Sequence, residues 1–395
     1  MLDGKEGDGT RKAMELLTKM GDYFGAEKMV PISMAYITLG PDSYGVMIKY
    51  IKELVENGAR FRTLTYVPTL AGSLGKKEND DLWIQIHKKM GGVFTEGGGF
   101  GEPDNATTYP VYGQNVLVDG TNVTSYCNGV IGARANNFDP IGQYAGAITG
   151  LLPKYGYLTR EGRLGKNLVD VKITPRNRTD WSALGFYVSM TLGKKWWDVP
   201  VFRGLEGVQA TSDELSSFCS SIPTYGPINH FLIVGISPEA RSIEDAFGGN
   251  KQEEKIEVGN DEIKQVYDRF SSSADRPDFI SLGGFGPYLP LKTAYKVASM
   301  LEGKKVKIPM QIALNKFTKA IADEVGITKK IEGAGVVVTQ DNFSIVQNAK
   351  QRDFKVIAFD NAKACQYSGQ QEVETVLLDD ETLIKVALAG TFKVN

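Results

Sequence analysis

Between residues 277 and 369 the sequence repeats one pattern four times: a short apolar run, a break rich in Gly, Pro, Asn or Asp, and a segment with helical spacing. The apolar runs are PDFISL, KVKIPMQIAL, AGVVVTQ and FKVIAF; the segments after them are GGFGPYLP with LKTAYKVASMLEG, Asn315 with KFTKAIADEVG, DNFSIVQNAK, and DNAKACQYSG. Short strands joined through helices pair in parallel, and continuous apolar character means that both sheet faces are covered. The fold class that follows is α/β, a multi-lobed body with parallel sheets flanked by helices. Open parallel sheets hold ligands outside the carboxyl ends of their strands. The 283–288 loop, Asn315, Asp341 with Asn342, and Asp360, Asn361 and Lys363 are therefore candidate site positions.

The 395 residues suffice for two or three lobes, read here as about 1–210 and about 211–395. Ala13, Leu16, Leu17, Met20 and Phe24 recur at helical spacing in RKAMELLTKMGDYFGAE, as do Val46, Met47, Tyr50, Ile51 and Leu54 in YGVMIKYIKELVENG, which Gly58 ends. RFRTLTYV alternates like a strand. The Gly-rich stretch 91–120 reads as a long loop carrying Glu96 and Glu102. Thr211 and Glu214 stand at capping-box spacing, and ISPEA predicts Ser237 as N-cap with Pro238 in the first helical position. INHFLIVGI reads as a buried strand, and the charged segment 248–270 as an exposed excursion followed by a helix with Ile263, Val266, Tyr267 and Phe270 inward.

Near-equal charge, 45 Lys+Arg against 47 Asp+Glu, provides no electrostatic footprint for nucleic acid. The most apolar segments, such as HFLIVGI, fall far short of the ~20 residues that span a bilayer, so no membrane partner is expected. The acidic, Gly-containing start MLDGKEGDGTRKAM is unlike a signal peptide, and three widely spaced cysteines make no disulfide framework; a reducing cytoplasm is the expected compartment. Two histidines, His87 and His230, support neither a multi-histidine metal site nor a histidine-based triad. GGGFG and GGFG lack the spacing of phosphate loops. What remains suits a small-molecule carboxylate. Arg134, in SYCNGVIGARANNFDP, is read either as a bidentate fork or as a structural ion pair, with Asn128, Asn136 and Asn137 as orienting neighbours. Lys363 and Tyr367 share a helical face and are candidates to stabilise an enolate or move a proton.

GVIGARANN resembles the NSVLGARTNR-type motif of the aconitase X catalytic domain. KAMELLTKMGDYFGAEKMVPIS, KYGYLTREGR, TSDEL, VGISPEA, VASMLEGKKVK and NAKACQY follow that family's order over nearly the whole chain. The resemblance implies an aconitase-like multi-lobed body and a hydro-lyase acting on mevalonate 5-phosphate or hydroxyproline-type substrates. It also implies an iron-sulfur cluster on three cysteines, and a small swivelling domain that supplies a serine base. This chain matches only the large part, so either the swivel is a separate small subunit or the site has become open and self-sufficient.

The chain departs from the family at each cluster position. TEGGGFGEP, with Glu96, stands for a TCTPY-like segment; LGGFGPYLP, with Gly284, for LGCPH; and QDN, ending in Asn342, for a DTC segment. Tyr36 stands where histidine is common and Asn361 where serine or glycine is usual. The leading expectation is a lyase, or an enzyme of a related proton-transfer reaction such as addition or cyclisation, without the usual cluster; the alternatives are an iron-sulfur dehydratase of mevalonate 5-phosphate or hydroxyproline type and a non-catalytic homologue that binds a metabolite. Its expected catalytic residues are Lys363, Tyr367, Glu96 and Asp341, and its substrate-binding residues Arg134, Asn128, Asn136, Asn342, Asn361 and Tyr36. Glu96, Asp341 and Asn342 would suit an oxygen-ligated divalent metal. Cys127, Cys219 and Cys365 would rebuild a cluster only by converging on one point.

Overall fold

The computed structural model describes residues 1–37, 44–68, 77–95, 108–285, 287–340 and 344–394. Three parallel sheets organise it. The first has the order Val93–Thr95, Leu64–Pro68, Met34–Tyr36, Leu117–Val118; the second Glu254–Val258, Asn167–Val171, Pro200–Arg203, Leu232–Ile233. The third runs Val337–Thr339, Met310–Ala313, Phe279–Leu282, Val356–Phe359, Glu374–Leu377. The repeated pattern at 277–369 supplies four of the five strands of this third sheet with their helices, and its central strands are buried on both faces, as continuous apolar runs require. An antiparallel pair, Met29–Pro31 with Leu151–Pro153, ties the first helix to the body.

Local signals explain most elements. The opening helix Asp8–Phe24 buries Ala13 and Leu17 and stops at Gly25, whose φ of 69° suits glycine. Tyr44–Glu56 buries Met47, Ile51 and Leu54. Thr211 and Glu214 close the capping box of Ser212–Ser221, and Asn315 and Asn361 cap Lys316–Glu324 and Ala362–Gly369 through their side chains.

Three expectations change. ISPEA starts no helix: the Ser237 hydroxyl accepts from the Ile233 N–H (2.9 Å) and donates to the Gly129 carbonyl (2.6 Å), and the next helix, Ile243–Phe247, is capped by Ser242. Stretch 91–120 is not all loop, because Val93–Thr95 and Leu117–Val118 are strands of the first sheet; residues 96–107, with Glu96 and Glu102, lie outside the described residues. Finally, the charged segment 248–270 contributes the edge strand Glu254–Val258 before its helix Asn260–Arg269. An edge strand with one wet side tolerates charge that a central strand would not.

Candidate active site

The GVIGARANN motif is held by a clasp. Residues Cys127–Ile131 form a single π-helical turn, a feature often found at functional sites. Gly129 is obligatory in it, since an added Cβ would lie 2.4 Å from Cζ of Phe231. Gly129→Ala is expected to cost about 1–3 kcal/mol through this overlap, read as a lower denaturant midpoint. The Asn128 amide donates to the carbonyls of Ala135 (2.8 Å) and Asn229 (2.9 Å), and its oxygen accepts from the Ala135 N–H and from Nη1 of Arg163, both 2.9 Å. Arg163 in turn places Nε 2.9 Å from both oxygens of Glu239 and Nη2 3.0 Å from the Asn128 carbonyl. Asn136 donates to the Tyr155 carbonyl (3.0 Å) and accepts from the Tyr157 N–H (2.9 Å). Asn128 therefore has all four of its hydrogen-bonding positions taken within the fold, and Asn136 is fully buried in a backbone clasp.

Arg134 differs from Arg163. Its N–H donates to the Gln114 carbonyl (2.8 Å) and its own carbonyl accepts from Val116 (2.9 Å), so residues 134–137 run parallel beside Leu117–Val118, bridging Asn115 with Arg134 and Val118 with Asn137. The side chain is half-buried, and its buried Nε has no hydrogen-bond partner among the described residues. An unpaired buried donor on a cation is costly. The ladder sets the Arg134 backbone three residues, roughly 10 Å, behind the strand end at Val118.

On the third sheet, Lys363 and Tyr367 do lie on one face of Ala362–Gly369 and both meet Phe285. The Lys363 ammonium is 5.3 Å from the Phe285 ring centroid, and the Tyr367 ring is 4.9 Å from it. Phe285 holds a φ of 48°, a strained value for a bulky residue. Burial pushes the Tyr367 phenol up from its ordinary range. Asn361 caps the helix by accepting from Ala364 (2.8 Å) and donates to the Gly284 carbonyl (3.0 Å), which fixes the loop carrying Phe285. Asp360 accepts from the Gly283 N–H (3.2 Å) and pairs with Arg178 (3.4 Å), joining the second and third sheets.

The carboxyl edge of the first sheet brings Tyr36, Tyr66 and Asp119 together. Tyr36 is buried and pairs in register with Tyr66 and Val118. Asp119 was not singled out from the sequence, where the only available signal was an acid directly after the apolar run NVLV. Its N–H donates to the Tyr36 carbonyl (3.0 Å) and its Oδ1 accepts from Nε2 of Gln143 (2.6 Å). Burial pushes its carboxyl up to about 6, against the opposing pull of the Gln143 bond, the Gly120 N–H and the Lys363 charge.

Both histidines lie in the core. His87 Nδ1 is 2.7 Å from the Trp83 carbonyl, so this nitrogen carries the proton and Nε2 accepts from the Tyr144 hydroxyl. Burial holds His87 down at about 4, against 6.5 ordinarily. Unfolded chains take up this proton below pH ~6.5 while the native state resists until about 4, so stability falls with pH across that window by up to about 3 kcal/mol. His87→Gln should flatten that slope in urea unfolding followed between pH ~7 and ~4.5.

The family models for the first, second and third domains of aconitase X match residues 1–161, 165–268 and 277–389. The chain belongs to the aconitase X family. It is 29% identical over 393 residues to the phosphomevalonate dehydratase large subunit of Thermococcus kodakarensis, covering 98% of this chain and 97% of that one. To the cis-3-hydroxy-L-proline dehydratase of Hypocrea jecorina it is 24% identical, covering 86% of this chain and 59% of that protein. The crystal structure of Thermococcus kodakaraensis aconitase X in its holo-form superposes with a TM-score of 0.83 at 27% identity, covering 98% of this chain and 97% of that chain.

The residues present do not fit a cluster held by three thiolates. All three cysteines are buried and free. Cys127 packs with Met34, Tyr36, Val116 and Val118, whereas Cys219 and Cys365 belong to the larger core around Phe218 and Phe359. Burial pushes the Cys127 thiol up to about 12 and the other two well above their ordinary range, the reverse of what a ligand thiolate needs. Among the described residues no group of three or more His, Cys, Asp or Glu is placed to hold a metal. At Gly284, where the resemblance puts a cluster cysteine, an added Cβ would lie 2.7 Å from Oγ of Ser281, which is fully buried and accepts from Gln311 (3.1 Å). Glu96, Asp341 and Asn342, which bear on the other two cluster positions and on an oxygen-ligated metal, lie outside the described residues.

Proposed function

We propose that this chain is the large component of an aconitase X-type hydro-lyase that dehydrates a small hydroxy- or amino-carboxylate without the three-cysteine cluster. The class rests on three family models in succession along one chain and on relatives named as dehydratases. The observation that carries the cluster-free form is the packing of Cys127, Cys219 and Cys365 in apolar cores. Arg134 offers its guanidinium to the substrate carboxylate, and Lys363, held over Phe285, supplies positive charge where negative charge develops. Tyr36, Tyr367, Glu96, Asp341 and Asn342 complete the proposed set. Protonation of a leaving hydroxyl by a side chain contributes about 10²–10⁴-fold, which favours an activated substrate, or a related addition or cyclisation.

Relatives named as large subunits support a small swivel-type subunit as partner. No helix among the described residues is long and apolar enough to cross a membrane, and free cysteines agree with a cytoplasmic setting. The test is to incubate the purified chain, alone and together with its small swivel-type subunit, with mevalonate 5-phosphate and with cis-3-hydroxy-L-proline, follow loss of water by NMR, and assay iron in protein prepared anaerobically. Dehydration of either with no stoichiometric iron is the expected result. A brown iron-sulfur chromophore would overturn the cluster-free form.

A further inference from the structure

We infer that Arg178 is a positioning residue: from the second domain it fixes the segment of the third that carries Phe285, and so the place of the Lys363 ammonium. What that ammonium does in the reaction rests on the hydro-lyase reading above; where Arg178 puts it does not. Arg178 belongs to the domain matched at 165–268 and Phe285 to the one matched at 277–389. Arg178 is the first residue of the helix Arg178–Leu192 and is 3% exposed. A cation in the first turn opposes the helix dipole, so the helix itself gives no reason for an arginine there. Its Nη2 donates to the Pro287 carbonyl (3.2 Å) and lies 3.4 Å from Oδ2 of Asp360, and its Nη1 lies 3.7 Å from Oδ1 of Asp213. Asp360 in turn accepts from the Gly283 N–H through both oxygens, each at 3.2 Å. One guanidinium and one carboxylate therefore tie the chain on both sides of Phe285.

The same helix holds the other half of the Lys363–Phe285 contact. Thr179 donates from Oγ1 to the Asp360 carbonyl (2.9 Å), and Ser182 Oγ accepts from the Ala362 N–H (2.8 Å). Ser182 stands four residues after Arg178 and three after Thr179, which puts the three side chains on one side of the helix start. Ala362 opens the helix that bears Lys363 and Tyr367. Phe285 and Lys363 thus both start from anchors on one helix of the second domain. Phe285 needs such anchors, because a bulky residue keeps a φ of 48° only where its surroundings over-determine it. Further ties come from within the third domain: Asn361 Nδ2 to the Gly284 carbonyl (3.0 Å), the Tyr288 hydroxyl to the Gln340 carbonyl (2.9 Å), and the Leu289 N–H to the Ala313 carbonyl (3.0 Å). Arg178 adds the hold of the neighbouring domain, so the setting of the ring follows how the two domains meet.

The test uses the whole chain with carbon-13 at the lysine ε carbons. A ring centroid 5.3 Å from the Lys363 nitrogen shields the adjoining methylene protons, and Lys363→Met identifies their NMR signal. In Phe285→Leu the signal should move to the position of an ordinary lysine. Arg178→Met should move it most of the same way, and Arg178→Lys less far, since an ammonium keeps charge beside Asp360 without the planar fork. Arg163→Met breaks a different buried pair, that of Arg163 with Glu239, and should leave the signal in place. An unmoved signal in Phe285→Leu or in Arg178→Met, or an equal movement in Arg163→Met, overturns the assignment; if Arg178→Met does not fold, an unmoved signal in Arg178→Lys overturns it. On whichever of mevalonate 5-phosphate or cis-3-hydroxy-L-proline the wild type dehydrates, Arg178→Met should lower kcat by about 10-fold with little change in KM, short of the roughly 10²–10³-fold of losing a charge-stabilising group outright. Arg178→Lys should recover part of it. A moved signal with unchanged kcat overturns the link to the reaction. If the wild type dehydrates neither compound, the reaction reading has failed and the signal alone decides for or against Arg178.

Discussion

Arg163→Met is expected to destabilise the protein by about 3–5 kcal/mol, the cost of breaking a buried ion pair from one side. The guanidinium is 3% exposed and engages Glu239, the Asn128 side chain, the Asn128 carbonyl and the Tyr157 carbonyl (3.3 Å). Methionine fills much of the volume but leaves the Glu239 carboxylate without its cation, and two oxygens of Asn128 lose a donor. Because Asn128 ties the π-turn to Ala135, the loss should spread to the whole motif. Urea unfolding of Arg163→Met, Glu239→Gln and the double variant measures it. A double variant clearly more stable than Arg163→Met would confirm that the stranded carboxylate is the main cost, and a single-variant effect under about 1 kcal/mol would show a clasp with little energetic weight.

Arg134→Ala should behave in the opposite way. Its buried Nε satisfies no protein acceptor among the described residues, so its removal should change stability by less than about 1 kcal/mol. Loss of a bidentate, charge-assisted carboxylate contact should instead lower kcat/KM, or the affinity for a carboxylate probe, by about 10²-fold or more. Arg134→Lys should recover little, because an ammonium cannot reproduce the planar fork. A variant that is destabilised like Arg163→Met but binds normally would make Arg134 a structural residue. The two arginines thus separate what the motif does for the fold from what it does for a ligand.

Much of the scaffold was legible in sequence because its signals are local. PDFISL, KVKIPMQIAL, AGVVVTQ and FKVIAF, each followed by a helical segment, read directly as the third parallel sheet. The Thr211 and Glu214 capping box also formed as spaced. Ser237 shows where local reading stops. Serine before proline is a good cap, but a hydroxyl that can reach Gly129, 108 residues away in sequence, has a competing partner that no window contains. The site divides the same way. Lys363 and Tyr367 share a helical face because four residues make about one turn. Their meeting at Phe285 depends on the strands Phe279–Leu282 and Val356–Phe359, 77 residues apart in sequence at their starts, pairing side by side so that the segments after them adjoin.

Sequence alone therefore determined the α/β class and the aconitase X resemblance, since each is a matter of residue type, order and spacing. Tertiary structure decided which polar residues remain available to a ligand. Asn128, Asn136, Asn361 and Arg163 are committed to hydrogen bonds within the fold, whereas the buried Nε of Arg134 has no partner among the described residues. The reason is that a buried polar group must find a partner, and partners contributed by distant parts of the chain appear only when the chain has folded.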